Sequence, residues 1–357
     1  MQHKEQTLSA RAAAQAREGA STVRRGFDGF FGTGGFASRE GSPWTGLGAV
    51  FEREFSDNMT SARMRLLQAL VFLAGFAASY SAIGEIKNVV GEDPYVFLKV
   101  FTVAKAPLPS FLAFLGFLIP IVAISLGFDS VNGEFNRRTM SRILAQPIFR
   151  DALLVGKFLA GLATLGVFLT ALWLFMMGLG ILLIGLAPSL EEIIRGGVFL
   201  VASIAYGGVW LAIAMLFSIY FRSPATSALA SLSVWLLFTV FWQMIVGVLA
   251  GVLFPIDPFD PSTVFAHFEG ALGLARLSPN TLFGETAIAL LSPGTRSMLP
   301  GELLRFLPQL QGAVLGSPLP LSQSVVLIWP QLTGLIAGMV LLFSLAYVAF
   351  QRQEVRA

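Results

Sequence analysis

The sequence predicts an all-α membrane protein. The expected core is a six-helix transmembrane bundle, with an N-terminal interfacial helix before it and an external helical cap between spans five and six. Three observations predict this. Hydrophobic residues make up 55% of the chain and charged residues 13%, against about 25% charged in an average soluble domain. The charges cluster, leaving several uncharged apolar runs long enough to cross about 30 Å of hydrocarbon, which takes roughly 20 residues. A long segment near the C-terminus is broken by prolines at a density that forbids one continuous helix.

Residues 1–43 carry Lys4, Arg11, Arg17, Arg24, Arg25 and Arg39 among many Ala, Gly and Ser. This composition predicts a cytoplasmic tail, largely disordered, with Ala10 to Ala16 suited to a short helix. Arg24-Arg25 is followed by a Gly- and Phe-rich stretch rather than a continuous apolar run, so no cleaved leader is expected.

In 47–65, Leu47, Val50, Phe51, Phe55 and Met59 fall near helical spacing, and Glu52, Arg53, Glu54, Asp57 and Asn58 occupy much of the other side. An amphipathic helix directly before a span suits the membrane interface. The first span is expected at 64–83. A polar connection follows, then a second span at 107–128 with Pro120 inside it, where a kink is expected. The third span is expected at 153–187, ending at Pro188, the fourth at 197–220 and the fifth at 225–254. Glu191 and Glu192 in the connection 189–196 read as solvated loop carboxylates. Residues 255–323 should fold as short helices, at 261–274, 282–291 and 301–311, whose apolar faces cover the outer mouth of the bundle. The sixth span is expected at 324–350. Gly247–Gly251 and Gly334–Gly338 have the spacing that lets helices approach closely.

Orientation follows from Lys and Arg in the short loops. Arg53, Arg63, Arg65, Arg137, Arg138, Arg142, Arg150, Lys157, Arg222, Arg352 and Arg356 fall on one side. That side is expected to be cytoplasmic, with both termini inside and 255–323 outside. The formal net charge of +3 is small, and no nucleic-acid partner is expected. The chain has no cysteine and two well-separated histidines, so no metal site, cofactor or catalytic centre is expected within it.

The most informative stretch is 128–157, between spans two and three. Val131, Phe135, Met140, Ile143 and Leu144 can share one helical face, with Glu134, Arg137, Arg138 and Arg142 around the rest. Gln146-Pro147 ends it, because proline disfavours helix at the residue before it. Taken alone, this is a short amphipathic helix of the kind that closes a bundle. The pattern of Asp129, Glu134, Arg138, Thr139, Ile143, Leu144, Pro147, Arg150, Gly156 and Lys157 resembles ABC-2-type permeases, the membrane subunits of ATP-binding-cassette exporters. Residues 277–297 are similar to the external segment of the same family, and the resemblance extends over about 45–352. It implies a transmembrane domain over 44–357 that works beside a second permease, in a homo- or heterodimer. It further implies that Glu134, Arg137, Arg138, Thr139, Arg142, Pro147 and Arg150 couple the chain to a separate ATPase subunit.

Gly156-Lys157 runs into Phe158, so the chain has no phosphate-binding loop. ATP and Mg are therefore expected in the partner ATPase, and the chain itself is not expected to be an enzyme. The span centres are almost free of charge, which disfavours an ion-coupled carrier. The resulting expectation is a permease in the plasma (inner) membrane. The alternative is a structural or force-transmitting membrane subunit whose external segment docks partner proteins. A membrane-embedded enzyme is a third reading, disfavoured by the lack of a His, Cys or carboxylate cluster within the spans.

Overall fold

The computed structural model describes residues 44–88, 95–104, 108–139, 148–257, 259–260, 262–293 and 319–352. The N-terminal tail, the expected helix at 301–311, Arg142 and Pro147 lie outside the described residues. Every element among the described residues is a helix, and six helical stretches are long and apolar enough to cross a membrane.

Helix α1 is Leu47–Thr60 and α2, the first span, is Ala62–Asn88. The single expected helix over 47–65 is split at Ser61, whose backbone is extended. The Ser61 hydroxyl accepts from the Met64 amide at 3.2 Å, so it caps α2 as serine does at helix starts. Val50 of α1 is buried. It lies over Gly156, where an added Cβ would come within 2.9 Å of the valine side chain.

A 3-10 turn (Val96–Leu98) and the short α3 (Lys99–Thr102) lead to the second span, α4 (Phe111–Gly127). α4 continues through Pro120. Proline has no amide hydrogen to offer the carbonyl four residues back. Here that carbonyl is Gly116, and the Tyr206 hydroxyl lies 2.9 Å from it. A neighbouring side chain thus satisfies the freed group, as tolerance of proline inside a membrane requires.

Beyond α4 lie the short α5 (Asn132–Asn136) and the third span, α6 (Arg150–Ile184). α6 stops at Gly185, whose φ of 78° is the left-handed conformation that glycine adopts without strain. The fourth span, α7 (Leu190–Tyr220), begins seven residues earlier than the apolar run predicts. The Ser189 hydroxyl accepts from the Glu192 amide while the Glu192 carboxylate accepts from the Ser189 amide. This reciprocal cap starts the helix there.

The same turn corrects the expectation of solvated carboxylates. Glu192 is buried and also accepts from the Phe97 amide at 3.0 Å. Glu191 pairs at 2.8 Å with Arg195, which is fully buried. A helical turn places Arg195 over Glu191, a pairing that a loop reading of this stretch hides.

α7 is the central helix: 78% of its most apolar window is buried, against 11% in the fifth and sixth spans. The latter two therefore present most of their apolar surface outward. The fifth span is α8 (Pro224–Leu236), a π-helical turn (Leu237–Phe241) and α9 (Trp242–Leu253). The sixth is α12 (Leu321–Arg352). Among the described residues, no atom of another element lies within 4 Å of a Cβ added at Gly247, Gly251 or Gly338.

Between α9 and α12, α10 (Ser262–Ala275) and α11 (Pro279–Leu291) form a helical hairpin. α10 returns along α9, where the Trp242 indole donates to the Ala275 carbonyl at 3.3 Å. α11 climbs back against α7 and α12, with Phe283 stacked on Tyr206 at 4.4 Å. Tyr206 is about sixteen residues into α7, roughly 24 Å along its axis at 1.5 Å per residue. The hairpin therefore descends beside the spans to their middle.

Candidate functional site

Two polar junctions form at opposite ends of the bundle. The hairpin end is closed by Arg195. Its guanidinium donates to Glu191, to the Ser324 hydroxyl at 2.9 Å and to the carbonyls of Leu319 at 2.6 Å and Leu290 at 3.4 Å. It also lies 5.2 Å from the Tyr95 ring centroid. One side chain of α7 thus ties together α11, the start of α12 and the segment before α3.

The other end holds the stretch singled out by sequence. α5 is fixed to the corner between α7 and α8. The amides of Val131 and Asn132 donate to the Ser218 hydroxyl at 3.0 and 3.2 Å. The side-chain amides of Asn132 and Asn136 donate to the carbonyls of Phe221 and Arg222. α5 ends with Arg138 at φ 55°, the left-handed region. The Arg138 amide closes on the Phe135 carbonyl and the Thr139 amide on the Glu134 carbonyl. This is the usual left-handed helix stop, made here without glycine. It turns Thr139 back so that its hydroxyl also bonds the Glu134 carboxylate.

Glu134 faces the protein interior. The ammonium of Lys157, whose side chain is only 4% exposed, lies 2.5 Å from a Glu54 oxygen and 3.5 Å from a Glu134 oxygen. One cation thereby joins α1, α5 and the first two turns of α6. Beside it, Arg63 reaches both oxygens of Asp129, at 3.0 and 3.4 Å, and stacks 4.9 Å over Phe128. Glu54, Arg63, Asp129, Glu134 and Lys157, with Arg53, Asp57 and Arg137, line a polar cavity of about 400 Å³ between α1 and α5. At the other flank Asp151 accepts from Tyr347, at 2.8 Å, and from Gln351. Arg150 lies over the Phe350 ring at 5.7 Å. The last turns of α12 are thus fastened to the first turn of α6.

Of the sequence-predicted residues, the structure brings Glu134 and Thr139 together with Lys157 and packs Arg150, at the start of α6, against Phe350 of α12. Arg137 and Arg138 are exposed at the end of α5. Glu54, Asp129, Lys157, Asp151 and Tyr347 complete the junction but were not among the predicted site residues. The available signal was complementarity: a basic residue at the mouth of the third span, and acids on the polar side of α1 and in the loop.

A model of ABC-2 family transporter proteins matches residues 48–355. Two similar proteins are each described as a probable ABC transporter permease protein NosY. The one from Stutzerimonas stutzeri is 28% identical over 167 residues, covering 45% of this chain and 58% of that protein. The one from Pseudomonas aeruginosa is 30% identical over 148 residues, covering 40% of this chain and 52% of that protein. The chain spans little more than half the length of these relatives. The family model, by contrast, covers α1 to the end of α12 without interruption, and on that match the chain belongs to the ABC-2 family of transporter proteins.

Proposed function

We propose that the chain is the membrane-spanning permease subunit of an ATP-binding-cassette exporter, driven by a separate ATPase that holds ATP and Mg. The chain would sit in the plasma (inner) membrane with its junction end and both termini cytoplasmic, and pair with a second permease. The observation that carries this reading is the Lys157 tie. A force applied to α5 reaches α1 through Glu54 and α6 through Lys157 itself, while Asp151 passes the movement of α6 to α12. A partner that docks on the tip of α5 could therefore tilt several spans at once. The docking contacts on this reading are Arg137 and Arg138, with Arg142 and Pro147 further along the sequence and Arg150 at the start of α6. Glu134 and Thr139 act behind them by holding α5 in place.

Co-purification with the ATPase tests this. Arg137→Glu with Arg138→Glu should weaken docking by about 1–3 kcal/mol, or roughly five- to 150-fold, while the permease still inserts and folds. An ATPase that co-purifies equally well with this variant overturns the coupling role. Intact ATP-driven docking without movement of any solute would instead favour the force-transmitting alternative.

A further inference from the structure

The tip of the α10–α11 hairpin holds an ion pair that plays no part in the junction at the other end. Arg276 follows directly on α10. Its Nε donates to both oxygens of Glu285, at 3.2 and 3.0 Å. The Glu285 side chain is 11% exposed and accepts a further bond from Gln331 of α12 at 2.8 Å. The carboxylate is thus held from two sides and fixes the guanidinium plane. Neither Nη group of Arg276 has a partner among the described residues, and the side chain is 41% exposed.

The position makes this notable. Ala275, the preceding residue, lies against Trp242, which opens α9 in the middle of the fifth span. Tyr206, in the middle of α7, is within 2.7 Å of Asn280 in the first turn of α11. The surroundings are also polar for this depth. Asn280 donates to Thr239 at 2.7 Å, and Gln243, an exposed amide on an otherwise apolar helix, reaches Thr281 at 3.4 Å. An arginine at the centre of a span is costly when lipid surrounds it. Such side chains persist where they face a polar cavity or a ligand.

We propose that Arg276 is the anchor of an oxyanion-binding site at mid-span depth, taking a phosphate group. Glu285 engages only the Nε edge, which leaves the two Nη groups as a forked pair of donors. That fork matches two oxygens of one phosphate or carboxylate, a match a lysine ammonium does not make. Because Glu285 offsets the charge of Arg276, recognition rests on the directed donors rather than on a strong positive field. The oxyanion belongs either to a soluble solute or to a lipid head group. The inference stands apart from ATPase coupling, and its test uses no ATPase.

Full-length protein in maltoside micelles, which contain no phosphate, is unfolded thermally with inorganic phosphate titrated against chloride at constant ionic strength. In a second arm phosphatidylglycerol is added to the micelles. Stabilisation by inorganic phosphate identifies a soluble oxyanion, and stabilisation by the lipid alone identifies a head group. Arg276→Gln should weaken the apparent affinity roughly tenfold or more, the loss of charge-assisted hydrogen bonds. Arg65→Gln, an exposed arginine at the opposite end, should leave the affinity unchanged. Arg276→Lys keeps the charge and removes the fork, so it should weaken binding nearly as much, and it serves if the glutamine variant does not fold. No thermal shift in either arm, or an equal shift with Arg276→Lys, overturns the proposal.

Discussion

Lys157 gives up nearly all its hydration and in return meets two carboxylates. Such an arrangement is weak evidence for stability as it stands, but breaking one side of a buried pair is costly, about 3–5 kcal/mol. Lys157→Met should therefore lower the thermal midpoint strongly, because it leaves Glu54 and Glu134 facing each other. Adding Glu54→Gln and Glu134→Gln should recover most of the loss. A Lys157→Met protein that melts like the parent shows that the tie carries no stability. Arg138 makes the opposite test. A side chain in the left-handed region costs about 1–2 kcal/mol that glycine avoids, so Arg138→Gly should raise the midpoint. If Arg138 also meets the ATPase, docking falls in the same variant, and the two readouts move in opposite directions. Glu134, Arg138 and Thr139 were legible in sequence as members of a family pattern. That Glu134 points inward was not, because its partner belongs to the next span and Glu54 lies 103 residues from Lys157 in sequence.

Among the elements, α4 and α7 depend on one another at the proline. Tyr206→Phe removes the hydroxyl from the Gly116 carbonyl and should cost about 1 kcal/mol, as such bonds do between membrane helices. Pro120→Ala restores an intrahelical amide to that carbonyl. The cost of Tyr206→Phe should then shrink in the Pro120→Ala background, leaving only the contact with Asn280. Equal costs in the two backgrounds would show that the carbonyl does not depend on Tyr206. Six spans were legible because uncharged apolar runs have few alternatives to crossing a membrane. Their starts were less so. Hydropathy alone puts the beginning of α7 at Gly197, whereas the Ser189-x-x-Glu192 pattern, also present in the sequence, fixes it at Leu190. α10 and α11 could be read from the proline breaks around them, but not the depth they reach. That depth is set by the ring contact of Phe283 with Tyr206, far away in sequence.

For the whole molecule, the distribution of basic residues makes a prediction about sidedness. A cysteine at Ser56, exposed on α1, should escape an impermeant reagent in intact cells, and one at Ser262, exposed at the start of α10, should react. The reverse pattern inverts the assignment of both ends. The two ends also differ in the order in which a ribosome supplies them. Arg195 has Glu191 one turn away. Its remaining donors, however, close on Leu290, Leu319 and Ser324, which lie 95, 124 and 129 residues further along the chain. A nascent or truncated chain that lacks α12 therefore carries a half-satisfied arginine in an otherwise finished span, an orphan that membrane quality control can recognise. Chains ending after α11 should be degraded faster than the full protein in pulse-chase labelling, and Arg195→Leu should lengthen the half-life of the truncated form while shortening that of the complete one. On this view Arg195 is a completion check, met only when the last helix has been threaded.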